Sequence, residues 1–258
     1  MRSWLLDVGD VTLAVCERGD PAAPAVVVAH GVGSTGEFAA RCWSGCVEAG
    51  YRLVTYDLRG HGDSTPLADP DDHGIAGHAD DLAAVAAETR ARVVGGTSLG
   101  AHVAAAYAAT HRIDALLLGI PGTLGSGAPT SRANAAVADE IEAYGVDATL
   151  RRIACETAVP RWVVIELERS WRRHEPESLV AALRAIAAEE APRIGTDAPT
   201  GVVGLVDDPA HPFAAAEAYA ATLPRAALES LTLAEWGERR AILGDAALSA
   251  CRRAIASR

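Results

Sequence analysis

Short runs of apolar, often β-branched residues recur along this 258-residue chain, with longer Ala-rich stretches between them. The runs fall at 24–29, 51–57, 92–96, 114–120, 201–206 and 227–233. Continuously apolar runs of this length suit strands buried on both faces, as in a parallel sheet. The stretches between them, at 37–48, 75–90, 99–110, 213–222 and 239–255, read as helices. The last of these places Ile242, Leu243, Ala246, Ala250 and Ile255 near one stripe. Strands alternating with helices predict βαβ units, right-handed crossovers and a mostly parallel sheet with helices on both faces. Ahead of them, 4–8 and 11–17 flank Gly9-Asp10 and read as a hairpin.

One section breaks the alternation. Between Pro121 and Pro199 only 163–165 is briefly β-rich. Residues 131–144 are rich in Ala and acids, and Pro160 and Pro176 each precede a helical stretch, as proline at a first turn does. This predicts a helical cap at 121–196, inserted before the penultimate strand into a core made of 1–120 and 197–258. An insertion of that size commonly covers a site as a lid.

The sharpest chemical signal is Val93-Val94-Gly95-Gly96-Thr97-Ser98-Leu99-Gly100-Ala101-His102. A strand runs into Gly96-x-Ser98-x-Gly100 and an Ala-rich helix follows. A serine on so tight a turn projects its hydroxyl above the sheet, and glycine on either side removes side chains that would clash. The helix N-terminus beneath favours developing negative charge. Two loops agree with it. The 24–29 run ends in His30-Gly31-Val32-Gly33-Ser34, and the 51–57 run in Asp57-Leu58-Arg59-Gly60-His61-Gly62-Asp63-Ser64.

Taken in order, HGVG, DLRGHGDS, GTSLGA, a helical cap and DDPAHP resemble the α/β-hydrolase superfamily over nearly the whole chain. The resemblance implies an α/β-hydrolase fold with Ser98 as nucleophile and an oxyanion hole made by the N–H groups of Val32 and Leu99. It implies an acid after the strand that follows the cap. Asp208, in Asp208-Pro209-Ala210-His211-Pro212, matches that pattern best, with Asp207 as the fallback. Arg59 and Asp63 read as structural, holding loops by hydrogen bonds.

The general base departs from the pattern. The family carries a His after its last strand, and this chain has no His beyond His211. Serine is a poor nucleophile without a base. His211 is the first candidate, but it stands three residues from Asp208. An acid and a base on one turn are hard to aim together, and the bland reading makes His211 a helix cap. His30 and His61 read as structural loop residues, and His102 as packed against the sheet. His174, in the cap, could swing over a pocket. Glu235 stands where the family His is expected, and it could serve only if burial raised its pKa.

Composition narrows the function. All 23 basic residues are Arg, so chemistry through a lysine Schiff base or a P-loop lysine is excluded. A net charge of −11 argues against nucleic acid as partner. Acids at Asp7 and Asp10 interrupt any signal-peptide core, no run is long enough to span a membrane, and a cytoplasmic location is expected. Neither Cys42 with Cys46 nor the acids and histidines of 69–81 read as a metal site, so no metal or cofactor is expected. Trp162, Ile165, Leu167, Trp171, Leu179, Leu183 and Ile186 predict an apolar cover, most of it cap core. The expected function is hydrolysis of a small apolar carboxylic ester, lactone or related acyl compound. The missing C-terminal His motivates an alternative, a non-hydrolytic lyase, cyclase or ligand-binding protein of the same fold. A protein-binding module would need neither the Ser98 turn nor the Gly-rich loop.

Overall fold

A computed structural model of the chain describes residues 1–125, 127–156 and 159–256. Among the described residues eight strands form one sheet: β1 (Arg2–Val8), β2 (Val11–Arg18), β3 (Ala25–Ala29), β4 (Arg52–Tyr56), β5 (Val93–Thr97), β6 (Ala115–Gly119), β7 (Thr200–Leu205) and β8 (Ala226–Leu231). Their order is β1-β2-β4-β3-β5-β6-β7-β8. The hairpin β1–β2 and the β2–β4 pair are antiparallel, and every later pair is parallel. The helices are α1 (Gly36–Cys42), α2 (Gly45–Glu48), α3 (Ile75–Thr89), α4 (Leu99–Ala108), α5 (Pro129–Tyr144), α6 (Val146–Cys155), α7 (Arg161–Trp171), α8 (Pro176–Ala188), α9 (Phe213–Thr222), α10 (Leu233–Glu238) and α11 (Ile242–Ala256).

The central strands are buried on both faces because their side chains alternate between two cores. Val27, Val94, Leu116 and Leu118 pack with α3, α4 and α9, whereas Val26, Val28, Leu117 and Val203 pack with α1, α2 and α11. The stretch expected as one helix at 37–48 is two short ones, because Trp43 turns its indole into the core and Ser44 starts a new turn. The β-rich residues 163–165 lie inside α7, where the apolar stripe of a helix overrides strand propensity.

Helices α5–α8 fall between β6 and β7 and hold a small core of their own, including Ile141, Leu150, Ile153 and Leu183. Val32, in the loop after β3, packs against that core. From β3 the chain moves outward to β4, then returns past β3 to β5. The loops leaving β3 and β5 therefore diverge, and such a switch point opens a crevice at the carboxyl edge of the sheet.

Five buried histidines tie the insertion to the core. The His61 ring lies 5.1 Å from those of His30 and His174, 6.1 Å from His73 and 6.3 Å from His78. His174 comes from the turn between α7 and α8, and the other four from the core. Next to it, Arg173 reaches Asp63 at 2.6 Å. Burial lowers all five pKa values, that of His30 to about 4. The folded state therefore prefers neutral rings, and the unfolded chain takes up protons below its ordinary value of about 6.5. Stability is then complete above that value and falls as pH drops, by up to about 1.4 kcal/mol per pH unit for each histidine. Urea unfolding at pH 7.5, 6 and 5 is expected to show a steep loss of unfolding free energy toward pH 5. A flat profile contradicts this account.

Candidate active site

β5 ends at Thr97 and α4 begins at Leu99, so Ser98 alone makes the turn between them. Its backbone has φ 55° and ψ −115°, a strained region for a residue with a side chain. Backbone hydrogen bonds over-determine it. The Ser98 N–H donates to Gly119 O at 2.9 Å, and Ala101 N–H donates to Ser98 O at 3.0 Å. The flanking glycines are required by close approach. A Cβ on Gly96 would stand 2.0 Å from Gly100 O, and one on Gly100 would stand 2.1 Å from Ala29 O. Trp43 Nε1 donates to Thr97 Oγ1 at 2.9 Å and pins the end of β5 from the opposite face.

The loop after β3 is set by His30. Leu58 N–H donates to His30 Nε2 at 2.9 Å, which leaves the ring proton on Nδ1, donating to Gly31 O at 2.7 Å. Ser34 N–H donates to the same carbonyl at 3.1 Å. Because the peptide is trans and planar, holding Gly31 O on that side turns Val32 N–H the other way. Leu99 is the first residue of α4, so its N–H has no acceptor within the helix.

Ser98 Oγ lies 2.9 Å from His211 Nε2, and His211 Nδ1 lies 2.8 Å from Asp208 Oδ2. A carboxylate only accepts, so Nδ1 carries the proton and Nε2 is free to accept from the serine hydroxyl. Asp208 and His211 share the turn between β7 and α9. The expected difficulty of aiming both is overcome locally. Asp208 Oδ1 accepts Ala210 N–H at 2.9 Å, which folds the turn back and brings His211 over Oδ2. Burial pushes the Asp208 carboxyl up, but hydrogen bonds from the His211 ring and from the backbone of Ala210 and His211 outweigh it and hold the pKa below the usual carboxylate value. His211 therefore does not play the part of a helix cap.

The other candidate residues lie elsewhere. Glu235 is exposed and closes a capping box with Thr232, whose N–H and Oγ1 both donate to Oε2 at 2.8 Å. These bonds lower its pKa, so the burial that would have raised it is absent. Thr232-x-x-Glu235 is a readable box in the sequence. Asp207 accepts Leu233 N–H at 2.7 Å and does not meet His211. His174 Nδ1 donates to Ser170 O at 2.7 Å inside the histidine cluster, and His174 is not among the residues lining the cavity. His102 is buried against Tyr219 of α9, 2.5 Å from its hydroxyl. Arg59 holds Asp81 through two hydrogen bonds of 2.7 Å. Cys42 and Cys46 are free buried thiols that burial pushes to about 12. Among the described residues no three His, Cys, Asp or Glu side chains converge as a metal site needs.

A cavity of about 420 Å³ opens over Ser98 and His211 beneath the helical insertion. Its walls are mostly apolar, with Val32, Ile120, Trp162, Leu167, Trp171 and Trp236 among them, and Asn134, Arg152, Glu156 and Glu166 also line it. The expected cover is thus divided. Trp162, Leu167, Trp171 and Leu183 face the cavity, Leu179 fills the insertion's core, Ile186 joins the main core and Ile165 is exposed. Ile120, Phe38 and Trp236 are wall residues from outside the insertion that no sequence pattern singled out as such. Ile120 follows β6 with φ 43°, which turns a β-branched residue toward the site.

Residues 26–246 match the Alpha/beta hydrolase family. The chain belongs to that family. The esterase from Exiguobacterium antarcticum is similar in structure, with a TM-score of 0.77 at 19% identity over 98% of this chain and 100% of that one. The enol-lactonase from Burkholderia xenovorans LB400 gives 0.73 at 21% identity over 88% and 90%. The bottromycin epimerase BotH, solved in complex with bottromycin A2, gives 0.74 at 22% identity over 99% of both chains. At these identities the likeness is one of fold. A comparison with curated proteins returns no match. Among the described residues no helix is long and apolar enough to cross a membrane.

The Ser98 turn leaves no room for a methyl group at Gly100. Gly100→Ala is expected to lower the unfolding free energy by about 3 kcal/mol, because the obstructing atoms are backbone and cannot swing aside. Denaturant unfolding measures it, and a loss under about 1 kcal/mol contradicts the account.

Proposed function

We propose that this protein is a serine hydrolase of a small apolar carboxylic ester, lactone or related acyl compound, acting through a Ser98 acyl-enzyme. The reading is carried by the hydrogen-bonded chain from Ser98 Oγ through His211 to Asp208, 2.9 and 2.8 Å long. His211 Nε2 takes the hydroxyl proton as Ser98 attacks the acyl carbon, and Asp208 holds the resulting imidazolium. The N–H groups of Val32 and Leu99 hold the oxyanion. His211 then protonates the leaving alkoxide and afterwards activates the water that cleaves the acyl-enzyme.

The apolar cavity favours an apolar acyl compound over a charged one. An esterase and an enol-lactonase among the structural neighbours favour ester-type substrates. The alternative, a non-hydrolytic lyase, cyclase or binding protein, was motivated by the absence of a C-terminal His, and a base within 2.9 Å of Ser98 removes that motive.

A fluorophosphonate probe is expected to add once to the wild-type protein, read by intact mass, and not at all to Ser98→Ala. On a short-chain p-nitrophenyl ester, Ser98→Ala and His211→Ala are expected to lose on the order of 10⁴-fold or more in kcat. Asp208→Asn is expected to fall about as far, because the amide can no longer fix the imidazole tautomer. Labelling that survives His211→Ala would remove His211 from the mechanism, whereas a wild-type protein that takes no adduct would reopen the non-hydrolytic reading.

A further inference from the structure

The acid and base share one turn, so that turn can tilt as a unit. Its internal hydrogen bonds, from Ala210 N–H and from the His211 ring to Asp208, fix its shape and leave its orientation toward Ser98 open. Orientation must come from outside the turn.

Thr130, on the first turn of α5, supplies such a contact from the helical insertion. Its Oγ1 donates to Ala210 O at 2.8 Å, across 80 residues of sequence. The direction is settled by the partners. The Ala210 carbonyl only accepts, and Thr130 Oγ1 itself accepts Thr123 N–H at 3.0 Å and lies 3.1 Å from Thr123 Oγ1. The single proton of Thr130 is thus committed to Ala210 O. The side chain is buried, 7% exposed, and lies beside His211 on the cavity wall.

Ala210 O and His211 N–H are opposite ends of one planar peptide. The O end is held by Thr130, and the two residues that the peptide joins are held by the Asp208 carboxylate through Ala210 N–H and the His211 ring. That plane also contains the His211 Cα, so its rotation moves the imidazole relative to Ser98. We propose that Thr130 is a positioning residue for the base, and that the insertion thereby takes part in aiming His211 as well as in covering the cavity. The inference rests on the Ser98–His211–Asp208 reading given above.

The test uses the full-length protein, a fluorophosphonate probe and a short-chain p-nitrophenyl ester. The observed rate constant for labelling Ser98, taken from the single-exponential time course, is independent of how much protein is folded. Thr130→Val keeps the shape and removes the hydroxyl. It is expected to lower both this rate constant and kcat by roughly ten- to hundredfold with KM little changed, as misplacement of a catalytic group does. Thr130→Ser, which restores the donor, is expected to recover most of the loss. Thr130→Ala, run in parallel, removes the same hydroxyl without a methyl against Thr123. Equal labelling rates in wild type, Thr130→Val and Thr130→Ala overturn this inference alone, as does a loss seen entirely in KM or not recovered by serine. Absence of any Ser98-dependent adduct in the wild type overturns the hydrolase reading and this inference with it.

Discussion

Asp208 accepts Ala210 N–H on one carboxylate oxygen and the His211 ring on the other, and the site is built around that division. One oxygen shapes the turn and the other orients the imidazole. A charged acceptor makes both bonds stronger than neutral ones would be, and the hydrogen bonds in turn keep the carboxyl ionised although it is largely buried. The Ser98–His211 contact of 2.9 Å depends on that turn, and the turn depends on its neighbours in the insertion.

The Ser98 turn is organised by backbone instead. Ser98 is held at positive φ by donating its N–H to β6 and accepting an N–H from α4, and glycines at Gly96 and Gly100 allow strand, helix and the end of β3 to meet within van der Waals distance of one another. His30 extends the arrangement to the neighbouring loop. Its ring joins Leu58 to Gly31, so one neutral imidazole sets the peptide plane from which Val32 N–H projects. Burial keeps that ring neutral, which the two hydrogen bonds require.

The eight strands were legible in the sequence to within about two residues, because burial on both faces writes a continuous apolar run. Ser98 was legible because its turn demands glycine at fixed spacing. His211 was harder to read. Its partners are a carboxylate three residues earlier and a hydroxyl 113 residues earlier, and only the folded turn shows that one ring meets both. Thr130 had no signal at all, since its partner is a backbone carbonyl 80 residues away. Glu235 misled by position, and the capping box around it was the better clue.

The loop after β8 carries no acid or base in the proposed reaction, because both come from the loop after β7. Leu233 and Trp236, which follow β8, instead form part of the cavity wall. Recognition and proton transfer are thereby assigned to separate loops. Substitutions in the segment after Leu231 can reshape what the cavity admits while the proton path stays intact, a freedom denied to a chain whose base sits in that segment.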